Sequence, residues 1–225
     1  MTKSALKIVY HLYQKAKSEG NNPQLIKSLI ERVSLQSRFK EDHLVSAIQT
    51  FEEELEVATT PEKQVLQSLL AELYQGYYQQ NRCAINGRIT VEGVNYNDIR
   101  TWDAVKLNKK IKDYYLQSIT DETTLKEIHL NEFNTILQEA DASQFSLWPS
   151  LYDLLANRAL TYFSGEDVEL TDVENISSAK YKLLPLADFL NTSHINSPNT
   201  GIALQLHKHQ LGLLWMNGNT DALVD

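Results

Sequence analysis

A chain of 225 residues, 42% of them hydrophobic, has the material for one sizeable core, which excludes disorder of the whole. Its 21 basic and 29 acidic residues leave a formal charge of -8, a field that repels phosphate backbones and argues against general nucleic-acid binding. A lone cysteine, Cys83, rules out an internal disulfide, and no run approaches the roughly 18 consecutive apolar residues that a membrane-spanning helix needs.

Residues 4–17 carry Leu6, Val9, Tyr10, Tyr13 and Ala16 at spacings of three and four, the period of an amphipathic helix, and Gly20 with Asn21 ends it. For the signal-peptide question, 2–17 is already an amphipathic helix with Lys3, Lys7, Lys15 and Lys17 spread along it, so it does not read as a signal peptide. Asn22-Pro23 opens a second helix through Leu25, Ile26, Leu29, Ile30, Val33 and Leu35 to about Arg38. A third begins near Glu41 and carries Leu44, Val45, Ile48, Phe51 and Leu55. The longest periodic run is 60–82, TPEKQVLQSLLAELYQGYYQQNR. Its apolar residues, from Val65 and Leu66 to Tyr77 and Tyr78, form two adjacent rows, which predicts a central helix packed on more than one side. Thr60 is the expected N-cap, Pro61 the first helical residue, and Glu62 sits well against the helix dipole. Pro23 and Pro61 stand 38 residues apart at equivalent helix starts. That spacing predicts an all-α fold of stacked helical hairpins, a tetratricopeptide-like right-handed array, although the consensus positions of that repeat are not met.

Residues 83–97, CAINGRITVEGVNYN, lose the helical period and place Gly87 and Gly93 around a short β-branched run. A short irregular or β-hairpin insertion is expected around 83–100. Insertions of this kind in a helical domain more often make contacts than stand idle, so the expected interaction surface comprises Tyr78, Arg82, Tyr96, Asp98, Arg100 and Trp102. The chain reads as a single helical domain over 1–225, with two hairpins in 1–82, the insertion in 83–101 and further helices in 102–225.

After the insertion, Thr101 is the expected cap of a helix with Asp103 in its first turn and Val105, Leu107, Ile111, Tyr114, Tyr115 and Ile119 buried on two sides. One or two shorter helices are expected in 124–140, followed by a polar break at 141–144. Trp148-Pro149 precedes a core helix through Leu151, Leu154, Leu155, Ala159, Tyr162 and Phe163, ended by Ser164-Gly165. A surface loop at 166–178, a short helix around 186–190 and a longer one over 200–216 complete the reading. Asn217, Gly218 and Asn219 suggest a turn and Thr220 the cap of a further helix, as in a piece of a longer chain.

Chemistry is sparse. His207 and His209, two apart, would turn to different faces of a helix, and neither His11, His43, His129 nor His194 makes the spacing of a zinc pair, so no metal is expected. Cys83 lacks a nucleophile motif, and the sequence holds no phosphate loop, serine elbow or paired-carboxylate signature; neither an enzyme nor a cofactor is expected. The basic run 106–112, KLNKKIK, reads as the solvated face of a helix. Aromatics cluster near the insertion at Tyr74, Tyr77, Tyr78, Tyr96, Trp102, Tyr114 and Tyr115, which is core packing or a ligand platform. Arg158 falls within an apolar arc and needs a partner; a structural ion pair with Asp98 or Asp103 is expected.

The series NNPQLIKSLIERVSLQ, PEKQVLQSLLAELYQGYYQQNR, NDIRTWDAVKL and LYDLLANRAL, in this order and at these separations, resembles the helical N-terminal region of very large bacterial alpha-2-macroglobulin-like proteins. The resemblance covers most of 4–163 and implies an exported, periplasmic or envelope-associated protein in which a helical array precedes macroglobulin domains that trap or inhibit proteases. Members that keep the family's reactive thioester form it between a cysteine and a glutamine in a Cys-x-Glu-Gln type sequence. Cys83 is followed by Ala84, Ile85 and Asn86 and cannot make that bond. What the resemblance implies is thus a non-catalytic scaffold or protein-interaction module, whose partners are other domains of the same longer chain or a protein or peptide. Read without it, the residues leave the compartment open, cytoplasm included. They equally allow a free-standing tetratricopeptide-like adaptor for a peptide or protein, or a carbohydrate- or peptide-binding domain that uses the tyrosines near the insertion.

Overall fold

The computed structural model describes residues 2–38, 41–88, 98–134, 136, 148–164 and 198–216. Its α-helices are α1 (Thr2–Glu19), α2 (Asn22–Ser37), α3 (His43–Val57), α4 (Glu62–Asn86), α5 (Ala104–Ser118), α6 (Glu122–Glu127), α7 (Leu151–Phe163) and α8 (Pro198–Met216). Two short 3-10 turns, Ile99–Thr101 and Leu130–Phe133, lie between them. The fold is all-α among the described residues, where the only extended pairing is one antiparallel bridge between His129 and Ser150. None of the described helices is long and apolar enough to cross a membrane.

Successive helices pack on one another: α1 on α2, α2 on α3, α3 on α4 and α4 on α5. Helix α4 also touches α2 and α7, and α7 carries α6 on one side and α8 on another. At 25 residues α4 is about 37 Å long, and it buries Val65, Leu66, Leu70, Ala71, Tyr74, Tyr77, Tyr78 and Ile85 among these neighbours. Local chemistry sets the joints. Gly20, at φ +64°, takes the left-handed turn that ends α1 without a Cβ penalty. Asn21 then caps α2, its side chain accepting from the Gln24 amide at 3.1 Å.

Several boundaries differ from the sequence reading. Helix α4 starts at Glu62, after a cis Thr60-Pro61 peptide, and the Thr60 hydroxyl accepts from the Gln64 side chain instead of capping the backbone. At its other end α4 runs to Asn86, so Cys83 to Asn86, expected in the insertion, are helical; residues 89–97 lie outside the described residues. The cap of α5 is Asp103, whose carboxylate accepts from the Lys106 amide at 2.8 Å, while the Thr101 hydroxyl donates to the Asp98 carbonyl. Val105 is exposed because it stands about 200° around the helix from Leu107, on the face opposite the buried arc. Tyr10 is likewise exposed, stacked on Tyr13 from the outside. Of the stretch expected at 124–140, the described residues form α6 and the second 3-10 turn, while 135 and 137–140 lie outside the described residues, and α8 begins at Pro198. The expected break at 141–144, the loop at 166–178, the short helix at 186–190, His194 and the turn after residue 216 lie outside the described residues.

Candidate functional site

The residues expected to form one surface are divided by the fold. Tyr78 is buried, its hydroxyl donating to Asn86 Oδ1 at 3.1 Å, and Arg82 is exposed on the same helix. Trp102 is buried and stacks on Tyr74 at 5.7 Å, with Lys106 Nζ 4.2 Å above its ring and Arg88 donating to its carbonyl at 2.6 Å. Asp98, the cap of the first 3-10 turn, and Arg100 on that turn are exposed, and Arg100 pairs with Asp42 at 2.7 Å and Asp98 at 3.6 Å. With Tyr77, Asn81 and Arg88, Arg100 lines a shallow cleft of about 250 Å³. Tyr96 lies outside the described residues.

The cluster of aromatics near Trp102 is a packed joint. Glu52 on α3 accepts from the Tyr74 hydroxyl of α4 at 2.8 Å and from the Tyr114 hydroxyl of α5 at 3.0 Å, with Lys110 at 3.7 Å. Burial, and after it the Glu52 charge, holds both phenols well above their usual range, so they remain donors throughout the physiological pH interval. A second joint ties α1 to α3: Tyr13 donates to Glu54, and Lys17 Nζ reaches Glu54 and the Tyr13 oxygen, each at 2.9 Å.

Ser150, Asp153 and His209 bring together the residue types of a hydrolytic triad, but in the wrong order. Asp153 sits between the other two, taking the Ser150 hydroxyl at 2.6 Å and His209 Nε2 at 2.8 Å, so the serine meets no base. Ser150 is the cap of α7 and forms a full capping box with Asp153. Burial raises the Asp153 carboxyl, and the hydrogen bonds from His209 and Ser150 overcome it, leaving the group below the usual carboxylate range. Next to this cap, the Tyr152 phenol is pushed up to about 12 by burial first and by Glu122 and Asp153 after it. The group serves to fasten α8 to α7, as does Gln210 donating to Asn157 at 2.8 Å.

Arg158 finds its partner on α4, not near the insertion. Its Nε donates to Ser68 Oγ at 2.8 Å and its Nη2 to Glu72 at 2.6 Å. The two carboxylates expected for it are used elsewhere, Asp98 by Arg100 and Asp103 as the cap of α5.

The arrangement with unspent polar capacity lies between the end of α3, the start of α4 and α5. A cleft of about 610 Å³ is lined by Leu55, Thr60, Lys63, Gln64 and Gln67 on one side and Lys110, Asp113, Tyr114, Gln117 and Thr120 on the other. Gln64 and Gln67 are 4% and 5% exposed, and the carboxamide oxygen of each has no hydrogen-bond partner. Their nitrogens are used, Gln64 Nε2 donating to Thr60 Oγ1 at 3.1 Å and Gln67 Nε2 to Gln117 Oε1 at 3.2 Å. A buried acceptor left in this way costs about 1–3 kcal/mol each. Their place was legible: Gln64, Gln67, Ala71, Tyr74 and Tyr78 follow one another at three and four, so both glutamines fall in a buried arc of α4.

Among the described residues no three His, Cys, Asp or Glu side chains are grouped to hold a metal ion, and Cys83 is exposed on α4. No family model, no curated protein and no solved structure matches this chain.

Proposed function

We propose that this chain is a non-catalytic helical scaffold, a stack of helical hairpins that docks against protein, at the N-terminal end of a macroglobulin-like envelope protein. The observation that carries the docking role is the outer face of α1. Ile8 is 61% exposed and Leu12, one turn on, 40% exposed, while the opposite face of α1 is spent on α2 and α3. A helix that ends a stacked array in solvent keeps its outer face polar, so apolar side chains there favour a covering partner. The macroglobulin part rests on the resemblance of the four helical segments and carries with it the export and the neighbouring domains.

Two measurements test the reading. Replacing Ile8 and Leu12 together by Ser should lower the unfolding midpoint only slightly and abolish calorimetric binding to the remainder of the longer chain, supplied as a separate polypeptide; retained binding overturns docking through α1. A coding frame in which β-rich domains follow these residues supports the macroglobulin part, and a frame that encodes the helical unit alone overturns it.

A further inference from the structure

We propose that the cleft between α3, α4 and α5 is a binding site for a neutral polyhydroxylated ligand, a saccharide. This does not depend on the scaffold role. The observation behind it is the pair of orphaned carboxamides, Gln64 and Gln67, each nine-tenths buried and each lining a cleft large enough for a small ligand. Turning Gln64 over exchanges the end that is left unpartnered, since the Thr60 hydroxyl can donate or accept, and turning Gln67 over does so only if Gln117 turns with it; neither removes the unpartnered end. Both oxygens are covered by protein, so the ligand meets them through a small turn of each side chain toward the cleft, and a hydroxyl, which both donates and accepts, then satisfies either end.

Charge and spacing narrow the class. The lining carries Lys63, Lys110 and Asp113, and Glu52, outside the lining and 3.7 Å from Lys110, offsets the second lysine, so no large excess selects an anion or a cation. The rest of the polar lining is neutral: the Thr60 hydroxyl beside Gln64 on the same side, and the Thr120 hydroxyl and the carboxamide of Gln117 on the side of α5. Gln64 and Gln67 stand three residues apart on one helix, a rise of about 4.5 Å. Like-facing amides of an extended peptide recur every second residue, about 6.8 Å apart, and do not match that step. Hydroxyls around a single sugar ring are closer together and do.

The test uses the full chain, labelled with nitrogen-15 and titrated separately with maltotriose, cellotriose, chitotriose and a blocked tri-alanine peptide. Expected are saturable shifts of the side-chain amide signals of Gln64, Gln67 and Gln117 with at least one saccharide, and a dissociation constant at least tenfold weaker in the double variant Gln64→Leu, Gln67→Leu. Should that variant fail to fold, Gln117→Leu with Thr120→Val at the exposed lip is expected to weaken binding several-fold. The proposal is overturned if no saccharide saturates, if the peptide binds more tightly than all three, or if the variants bind as the parent does. A leucine variant that gains thermal stability and keeps its binding would mark the glutamines as packing faults and would likewise overturn it.

Discussion

Asp153 and Arg158 sit a little over one turn apart on α7, and each anchors that helix to a different neighbour. The Asp153 carboxyl lies below its ordinary value in the folded chain, so the sign is that of a depressed acid: its stabilisation is present above the unfolded value of about 3.9 and is lost as pH falls through the folded value. Unfolding by urea at pH 7 and at successively lower pH should therefore show an acid limb that is shallower in Asp153→Asn, and that variant should already be less stable at pH 7, by about 1–3 kcal/mol. Ser150→Ala removes the cap of α7 and is expected to cost about 1 kcal/mol in the same measurement. Arg158→Ala should cost about 1–2 kcal/mol, through the hydrogen bond to buried Ser68 and the packed stem, whereas Glu72→Ala, at an exposed carboxylate, should cost less than about 1 kcal/mol. Equal losses from the two would show that the ion pair, not the buried hydrogen bond, is the stronger link.

Helix α4 carries the largest share of the packing, since α2, α3, α5 and α7 all close on it. Leu70 is wholly buried on that helix, and Leu70→Ala should lower the unfolding free energy by about 2–5 kcal/mol. Val105, on the solvent side of α5, is the control: Val105→Ala should change it by less than about 0.5 kcal/mol. Element positions were legible wherever apolar residues repeat at three and four, as in α2, α3, α4 and α7, because a helix buries a face and the spacing of that face is local. Ends were less legible. The glycine in Arg88's neighbourhood and the β-branched run after it read as an early stop at Arg82, yet Ile85 is buried against the core and the helix continues to hold it there. Likewise Thr101 and Asp103 are both good caps by residue type, and only the path of the preceding 3-10 turn selects Asp103.

At the scale of the whole molecule, carboxylates and amides join helices far apart in sequence: Glu52 ties α3 to α4 and α5, Glu54 ties α3 to α1, and Arg158 ties α7 to α4. The candidate cleft arises in the same way, from Thr60 and two glutamines of one helix meeting Gln117 of another. By itself the sequence determined that the chain is predominantly helical, most of the inward faces of its helices, with Tyr10 and Val105 the exceptions, and that Arg158 needs a partner, because these follow from periodicity and from the cost of burying a charge. Only the tertiary structure decided that the partner is Glu72, that Tyr78 and Trp102 are core while α1 shows Ile8 and Leu12, and that Gln64 and Gln67 line a cleft. The physical reason is that periodicity says which side of a helix is covered, while the identity of the covering helix depends on packing between segments tens of residues apart.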